Sequence, residues 1–566
     1  MQKKSKTSSS DLPWLKSYPE GVNWKTSLSG ESLAALFDRS VASFGDNECI
    51  NFLGKTITYK ELSHLVNKAA CGLQSLGITK GTKVGLLLPN CPAFAVYYFA
   101  ILKVGATVVN CNPLYTVEEL EFQIRDSETE MLVTLDLAAL FEKADALLGK
   151  KAIKKAVVCP FTQMLPTMKS ILFRLLKSKE MANISNTANS ARIVREEQLL
   201  DNDGAYEQVA INPSKDIAVL QYTGGTTGTP KGAMLSHANL SINIQQIQMW
   251  TNSLLGPDES ILGVLPMFHI FAMSTVLNFG ISCGYRLILL PRFDLDQALK
   301  VIVKEKPTIF PGVPTIYNAI LNHKKTRTLD MSSLKFCISG GAALPAEVKK
   351  EFEQMTGCSL VEGYGLSETS PVATCNRADG SNPPGSIGLP YPETLISIRS
   401  IEDPKKEMPL GENGEICISG PQVMSGYWKK PKETKDTFTG KFFRTGDVGY
   451  MDENGYIFIV DRMKDMINAS GFKIYPRRIE EAIYELEAVE EVTVIGVPDE
   501  YRGEAPAAYI KLRKGQSLTK DDVLTFLETK ISKIEMPRDI EFRDELPKTM
   551  IGKLSKKELR EERGDA

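Results

Sequence analysis

Residues 222–232 read YTGGTTGTPKG, and few chain segments are as restrictive. Four glycines, four threonines and one lysine fall within eleven residues. The apolar run IAVL at 217–220, which reads as a buried strand, precedes them. Ser236-His237-Ala238-Asn239, a helix N-cap signal, follows. Glycine lets a backbone pass close to a bulky group and adopt positive φ. Threonine hydroxyls and exposed N–H groups donate to anionic oxygens, and Lys231 adds a point charge. The segment predicts an anion cradle formed by Thr223, Gly224, Gly225, Thr226, Thr227, Gly228 and Lys231. A plain flexible linker would seldom alternate Gly with Thr between a buried strand and a helix. The common P-loop pattern is absent, since Gly228 is followed by Thr-Pro-Lys; Gly54-Lys55-Thr56 fails it too.

A chain of 566 residues is too long for one core and predicts two to four compact units. The net charge of −2 argues against a general nucleic-acid binder. Ten scattered cysteines with no C-x-x-C pair, and only four histidines, argue against a zinc site and fit buried thiols in a reducing compartment. The N-terminus MQKKSKTSSSDLPW carries charge but no apolar core of a secretory signal. The expected location is cytoplasmic. Residues 261–285 contain no Asp, Glu, Lys or Arg, long enough to span a bilayer. Pro266, His269 and Gly280 break that run, so a buried strand–loop–helix is expected.

Strand-like and helix-like segments alternate from 31 to about 340: a helix over 31–44, a hairpin over 51–59 turning at Gly54-Lys55, a helix over 59–76, then strands at 83–89, 106–109, 132–135 and 155–158. Such alternation predicts parallel sheets with helices on both faces. From 385 onward the texture changes to short β-like runs with Gly, Asn and Pro turns, expected to form a small β subdomain. A charged break, Asp461-Arg462-Met463-Lys464-Asp465, marks the boundary before an α+β unit. The expected fold is therefore α/β plus α+β. Residues 1–30 form a loose arm, 31–461 a large domain and 462–566 a small C-terminal domain. Residues 161–180 interrupt the alternation with a basic amphipathic helix. Its pattern fits either a contact with an anionic membrane surface or packing on its own domain or at a dimer contact.

Further clusters accompany the glycine-rich loop: Tyr364-Gly365-Leu366-Ser367-Glu368-Thr369, Phe443-Arg444-Thr445-Gly446-Asp447, Asp461-Arg462, and Pro547-Lys548-Thr549-Met550-Ile551-Gly552-Lys553. Each alone is an ordinary turn or surface segment. Together, in this order, they resemble the adenylate-forming superfamily of acyl-CoA synthetases, luciferases and peptide-synthetase adenylation domains over residues 30–560. Asn110-Cys111-Asn112-Pro113-Leu114-Tyr115-Thr116, Met267-Phe268-His269-Ile270-Phe271-Ala272 and the basic insert most resemble long-chain fatty-acid–CoA ligases. Ser367 stands where Thr is common, Arg478 where an acid is usual, Ile534 where a tyrosine often lies and Lys556 where an arginine follows the catalytic lysine.

The resemblance implies ATP, Mg²⁺ and coenzyme A as cofactors, and a fatty acid activated as acyl-adenylate before transfer to CoA. It implies that residues 223–232 hold the β- and γ-phosphates, and that Glu368, helped by Thr223, ligates Mg²⁺. Tyr364 stacks on adenine beside Gly341 and Ala342, with Gly363, Gly365 and Ser367 in the same nucleotide site. Asp447 takes the ribose hydroxyls with Arg462 nearby, and Lys553 reaches the α-phosphate. His269 lies at the carboxylate. Gly312, Val313 and Ser339 line the acyl pocket. Lys464 is the hinge of a mobile small domain, and Gly471 lies on the CoA path. Peripheral contact with the inner face of a membrane and a homodimer are expectations that rest on the basic amphipathic pattern of 161–180 and not on the resemblance. Two rivals are another acid- or amino-acid-adenylating ligase and a non-enzymatic lipid-binding member of the fold. Against the first, no acid stands near Phe268-His269 to meet an ammonium group. Against the second, Glu368, Asp447, Arg462 and Lys553 are all present.

Overall fold

The computed structural model describes residues 12–223, 229–470, 472–549 and 552–563. Two large sheets form the core of the long N-terminal part. One has seven strands and the other nine. In the first, Lys83–Leu86, Thr107–Asn110, Thr129–Leu135 and Lys155–Cys159 pair in parallel, as their alternation with helices predicts. The second runs parallel from Glu48–Phe52 through Arg286–Leu289, Ser260–Gly263, Ile309–Gly312 and Phe336–Gly340 to Ser359–Gly365.

Local chemistry sets the helix starts. Thr58 caps Tyr59–Ser75 with Glu61 bonding back, and Thr116 with Glu119 and Ser236 with Asn239 repeat that reciprocal arrangement. The helix Pro92–Lys103 is buried along almost its whole length, so it lacks a polar stripe and sits between layers. Lys103 enters that core only because Asp38 and Asn67 receive its ammonium group. The segment 261–285 is the expected strand–loop–helix: strand Ser260–Gly263, then Ile270–Ala272, a wider π turn Met273–Asn278 and Phe279–Cys283. No helix among the described residues is long and apolar enough to cross a membrane.

Leu395–Arg399, Gly414–Ser419, Phe438–Thr439, Phe442–Met451 and Ile457–Arg462 form an antiparallel five-stranded sheet, the expected β subdomain. The large apolar core runs to Ile457; a separate core begins at Ile467 within a second five-stranded sheet. That sheet carries Pro476–Tyr484 and Lys520–Leu527 as helices. All ten cysteines are free thiols, eight of them buried.

Three sequence expectations need correction. The arm is not loose over residues 12–30. Trp14 is buried, Tyr18 donates to the Pro390 carbonyl (2.7 Å) and Trp24 to the Thr394 carbonyl (3.1 Å). Residues 1–11 lie outside the described residues. The first hairpin turns at Leu53-Gly54, both at positive φ, rather than at Gly54-Lys55. The glycine-rich segment does not lead from strand straight into helix. Lys231–Ser236 is itself a strand, antiparallel to Ile217–Thr223, with Thr223 opposite Lys231. The cradle is thus the connection of a hairpin, and its Gly224, Gly225, Thr226, Thr227 and Gly228 lie outside the described residues.

Candidate active site

Asp447 and Arg462 face each other on neighbouring antiparallel strands of the β subdomain. Arg462 Nε lies 3.2 Å from Asp447 Oδ1. The other carboxylate oxygen accepts the Tyr364 hydroxyl at 2.6 Å. Tyr364 arrives from Ser359–Gly365 at the edge of the parallel run, so this contact ties the large sheet to the subdomain. Burial raises the Tyr364 hydroxyl well above its ordinary pKa, and Asp447 adds to that, so it is a donor at all ordinary pH. Asp447 raises Arg462, against partial desolvation in the cleft. Each Asp447 oxygen keeps a lone pair for another donor.

A cavity of about 650 Å³ opens beside this pair, within the usual size of small-molecule sites. Its polar wall gathers Thr223, Lys231, Gly341, Gly363, Tyr364 and Gly365. Ser367, Glu368, Asp447, Arg462, Lys464 and Lys553 lie on it as well. Glu368 is buried, and its Oε1 accepts the Tyr427 hydroxyl at 2.7 Å. Burial pushes its carboxyl up, and Tyr427, Arg462 and Lys231 pull it back. A buried carboxylate in such tension is a natural seat for a cation. The described residues hold no group of three or more acid, His or Cys ligands. One carboxylate plus the Thr223 hydroxyl suits Mg²⁺, which takes few protein oxygens and completes its shell with phosphates and water.

Lys553 comes from the C-terminal unit, yet its side chain lies across Gly341: a Cβ on Gly341 would stand 2.4 Å from Lys553 Cε. Gly341 has φ +82°, a second reason for glycine there. The preceding Gly552 carbonyl accepts the Thr315 hydroxyl at 2.6 Å, fixing the approach. Burial, then Arg462, lowers Lys553 to about 8. His269 is on the same wall, at the N-cap of Ile270–Ala272, with Nδ1 accepting the Phe271 N–H at 3.3 Å. Burial and the Lys553 charge lower it to about 3, so it is neutral at physiological pH.

Another part of the wall is apolar, with Leu265, Ile270, Phe271, Ala272, Val313 and Ile338. Val313, expected at the acyl pocket, lines this cavity. Gly312, Ser339 and Ala342 are not among the residues lining the cavity. Gly312 instead turns toward Tyr317, whose Cζ would lie 2.7 Å from an added Cβ. Ser339 is fully buried with its hydroxyl unpaired. Gly471 lies outside the described residues. Sequence reasoning missed Tyr427, which orients Glu368, and Glu415, which lines the cavity and accepts Arg444 Nε (2.8 Å) and the Gly446 N–H (3.1 Å). Glu415 sits in a β-like run that signals a strand and not a site, Tyr427 in no patterned segment, and only the folded chain brings them close.

Comparison with known proteins agrees with this geometry. Residues 37–428 match the family described as AMP-binding enzyme, and 478–553 match the AMP-binding enzyme C-terminal domain. The chain is 43% identical over 560 residues to a long-chain-fatty-acid–CoA ligase of Bacillus subtilis (strain 168), covering 98% of each. It is 36% identical over 558 residues to a ligase of the same name from Escherichia coli O6:H1, covering 97% of this chain and 98% of the relative. Among solved structures, ATP-bound MatB from Rhodopseudomonas palustris has a TM-score of 0.80 and 30% identity, covering 94% of this chain and 99% of its own. The anthranilate CoA ligase AuaEII in complex with anthranoyl-AMP has a TM-score of 0.82 and 26% identity, covering 94% and 97%. With both family regions matched in order and its curated relatives aligned nearly end to end, the chain belongs to the AMP-binding enzyme family.

Proposed function

We propose that this protein is an AMP-forming long-chain fatty-acid–CoA ligase. It activates a fatty acid with ATP to acyl-adenylate and pyrophosphate, then transfers the acyl group to CoA with release of AMP. One observation carries the reading: Lys553 of the C-terminal unit enters the cavity that already holds Tyr364, Glu368, Asp447 and Arg462 of the large unit. The names of the relatives supply the long-chain acid.

The first half-reaction brings a carboxylate against a phosphate, so charge neutralisation matters more than proton transfer. Lys553 supplies a cation where the carboxylate meets the α-phosphate. Asp447 receives the ribose hydroxyls while Arg462 holds its other side. Tyr364 offers a flat face to adenine, and Lys231 with the hairpin loop meets the β- and γ-phosphates. Glu368 and Thr223 would hold Mg²⁺, which supplies further neutralisation of phosphate charge when bound. Neutral His269 orients the carboxylate without adding charge. The alkyl tail leaves along Val313, Ile338 and the apolar wall near Phe271. Gly471 belongs to the pantetheine path, and Lys464 to the hinge on which the small domain turns. The enzyme works in the cytoplasm, peripherally on the inner face of a membrane, and its mass in solution tests the homodimer.

Pyrophosphate release with ATP and oleate, with and without CoA, decides the reading. Oleate-dependent pyrophosphate, and oleoyl-CoA only when CoA is added, is the expected result. Pyrophosphate with amino acids but not oleate would favour an adenylation domain. Oleate binding without pyrophosphate would favour a lipid-binding protein.

A further inference from the structure

The helix Thr167–Leu176, in the basic insert, has no buried residue although it is largely apolar. Met168, Ile171, Leu172, Leu175 and Leu176 are 71, 50, 49, 72 and 77% exposed, half of the ten exposed large apolar side chains among the described residues. At about 100° per residue these five share one face, roughly 140° wide. The opposite side holds the helix down. Phe173 packs edge-on against Phe161, with ring centroids 5.1 Å apart. Arg174 donates twice to the Thr162 hydroxyl (2.9 and 3.1 Å), and Lys169, at the border, donates to the Leu53 carbonyl (2.7 Å). The apolar stripe therefore points away from its own domain. Scattered exposed leucines are ordinary, but a contiguous stripe marks a contact surface.

Its rim is basic. Residues 161–180 contain Lys169, Arg174, Lys177 and Lys179 against the single carboxylate Glu180. Lys177 pairs with that carboxylate, and Arg174, on the held side, is offset by Asp136, whereas Lys169 bonds a neutral oxygen and has no paired carboxylate among the described residues. Lys55 adds another cation alongside, bonded to the Gln163 carbonyl. In a chain of net charge −2 this concentration is local, not a general excess.

We propose that this face docks on an anionic phospholipid bilayer, with the five apolar side chains at the acyl boundary and the basic rim at the headgroup phosphates. This deepens the proposed function and rests on it only in that a long-chain fatty acid partitions into such a bilayer. A second copy of the chain is the less favoured occupant. A two-fold contact sets the same patch against itself, so the cations would meet cations with one carboxylate per copy to receive them.

The test is cosedimentation of the full chain, without nucleotide or CoA, with vesicles of phosphatidylcholine alone and of phosphatidylcholine with phosphatidylglycerol. Binding to the anionic vesicles, weakened by salt, is expected. The combined Leu172→Ser, Leu175→Ser and Leu176→Ser variant should bind them about tenfold or more weakly. The combined Lys169→Ala, Lys177→Ala and Lys179→Ala variant should lose the preference for the anionic vesicles. Unchanged binding in the serine variant, equal binding of the wild type to both vesicles, or loss of a dimer in sedimentation velocity without vesicle binding would overturn the proposal. Adenylation of octanoate, a soluble acid, is followed in parallel and stays unchanged in both variants. Its absence from the wild type would count against the proposed function and leave the docking result standing.

Discussion

Lys553 is cationic at neutral pH by a narrow margin, because burial and the nearby Arg462 bring it down to about 8. If its charge stabilises adenylation, kcat/KM for that step holds below pH 8 and falls as pH rises through it. Lys553→Arg keeps a cation throughout and should flatten that alkaline limb, even at a lower rate. An unchanged limb in the arginine variant would assign it to another group. Gly341→Ala tests the same contact from the other side. The new Cβ would overlap Lys553 and force an unfavourable φ, so adenylation should drop while acyl transfer from supplied acyl-adenylate persists. Equal loss of both steps would mean that Gly341 serves the fold and not the lysine. Glu362, one strand position before Gly363, is a buried carboxyl raised to about 7 by burial. The folded state binds its proton more tightly than the unfolded chain does. Its contribution therefore weakens stability as pH rises from the ordinary 4.5 through 7, and the penalty is complete above that. Glu362→Gln should raise the urea midpoint at pH 8, by up to about 3 kcal/mol in stability, with little effect at pH 4. A gain of equal size at both pH values would refute this.

At the level of elements, Gly312 lies on the strand Ile309–Gly312 but faces Tyr317, whose hydroxyl joins the Phe310 and Ile338 carbonyls at 2.7 and 3.1 Å. Gly312→Leu should thus overpack the core and cost about 1–3 kcal/mol, leaving acyl chain-length preference unaltered. A changed preference at unchanged stability would put Gly312 on the pocket after all. That position marks a limit of sequence reading: a glycine beside a pocket residue was legible as near the site, but the direction of its missing side chain depends on a distant tyrosine. Elements with local signals were readable, such as the capped helices at Thr58 and Ser236 and the alternating parallel strands. The arm was not, because Trp14, Tyr18 and Trp24 meet partners more than three hundred residues away in sequence. Lys231–Ser236 was hidden for a related reason. Its six residues carry no strong alternation, and the pairing with Ile217–Thr223 defines it. The candidate site was more legible than the sheet order. Its groups sit in short motif-like segments, whereas Tyr427 and Glu415 carry no motif, and Glu415 reaches it through strand pairing with Phe442–Met451.

For the whole molecule, the segment 461–465 joins two cores; Arg462 pairs with Asp447 of the large unit, and the C-terminal unit holds both ends. Asp461 accepts the Arg477 N–H (2.9 Å), and Arg560 bonds Asp465 (3.0 Å). Lys556, in the place where the family commonly has arginine, pairs with Glu480 (2.8 Å) and so keeps a cation at the junction. The arrangement presents Lys553 to the cavity, in the position proposed for adenylation. In the proposed thioester step the segment around Gly471 takes that place instead, and we propose that the small unit turns at Lys464 to bring it there. Lys464→Pro should accordingly slow acyl transfer more than adenylation; the reverse order would place the pivot elsewhere. Lys553 is expected to act in adenylation alone. Single-turnover kinetics of Lys553→Ala decide this, following pyrophosphate release from ATP and palmitate in one experiment and transfer from supplied palmitoyl-adenylate to CoA in another. A loss on the order of a thousandfold in the first and near wild-type rates in the second are expected; equal damage to both would mean that Lys553 serves both steps.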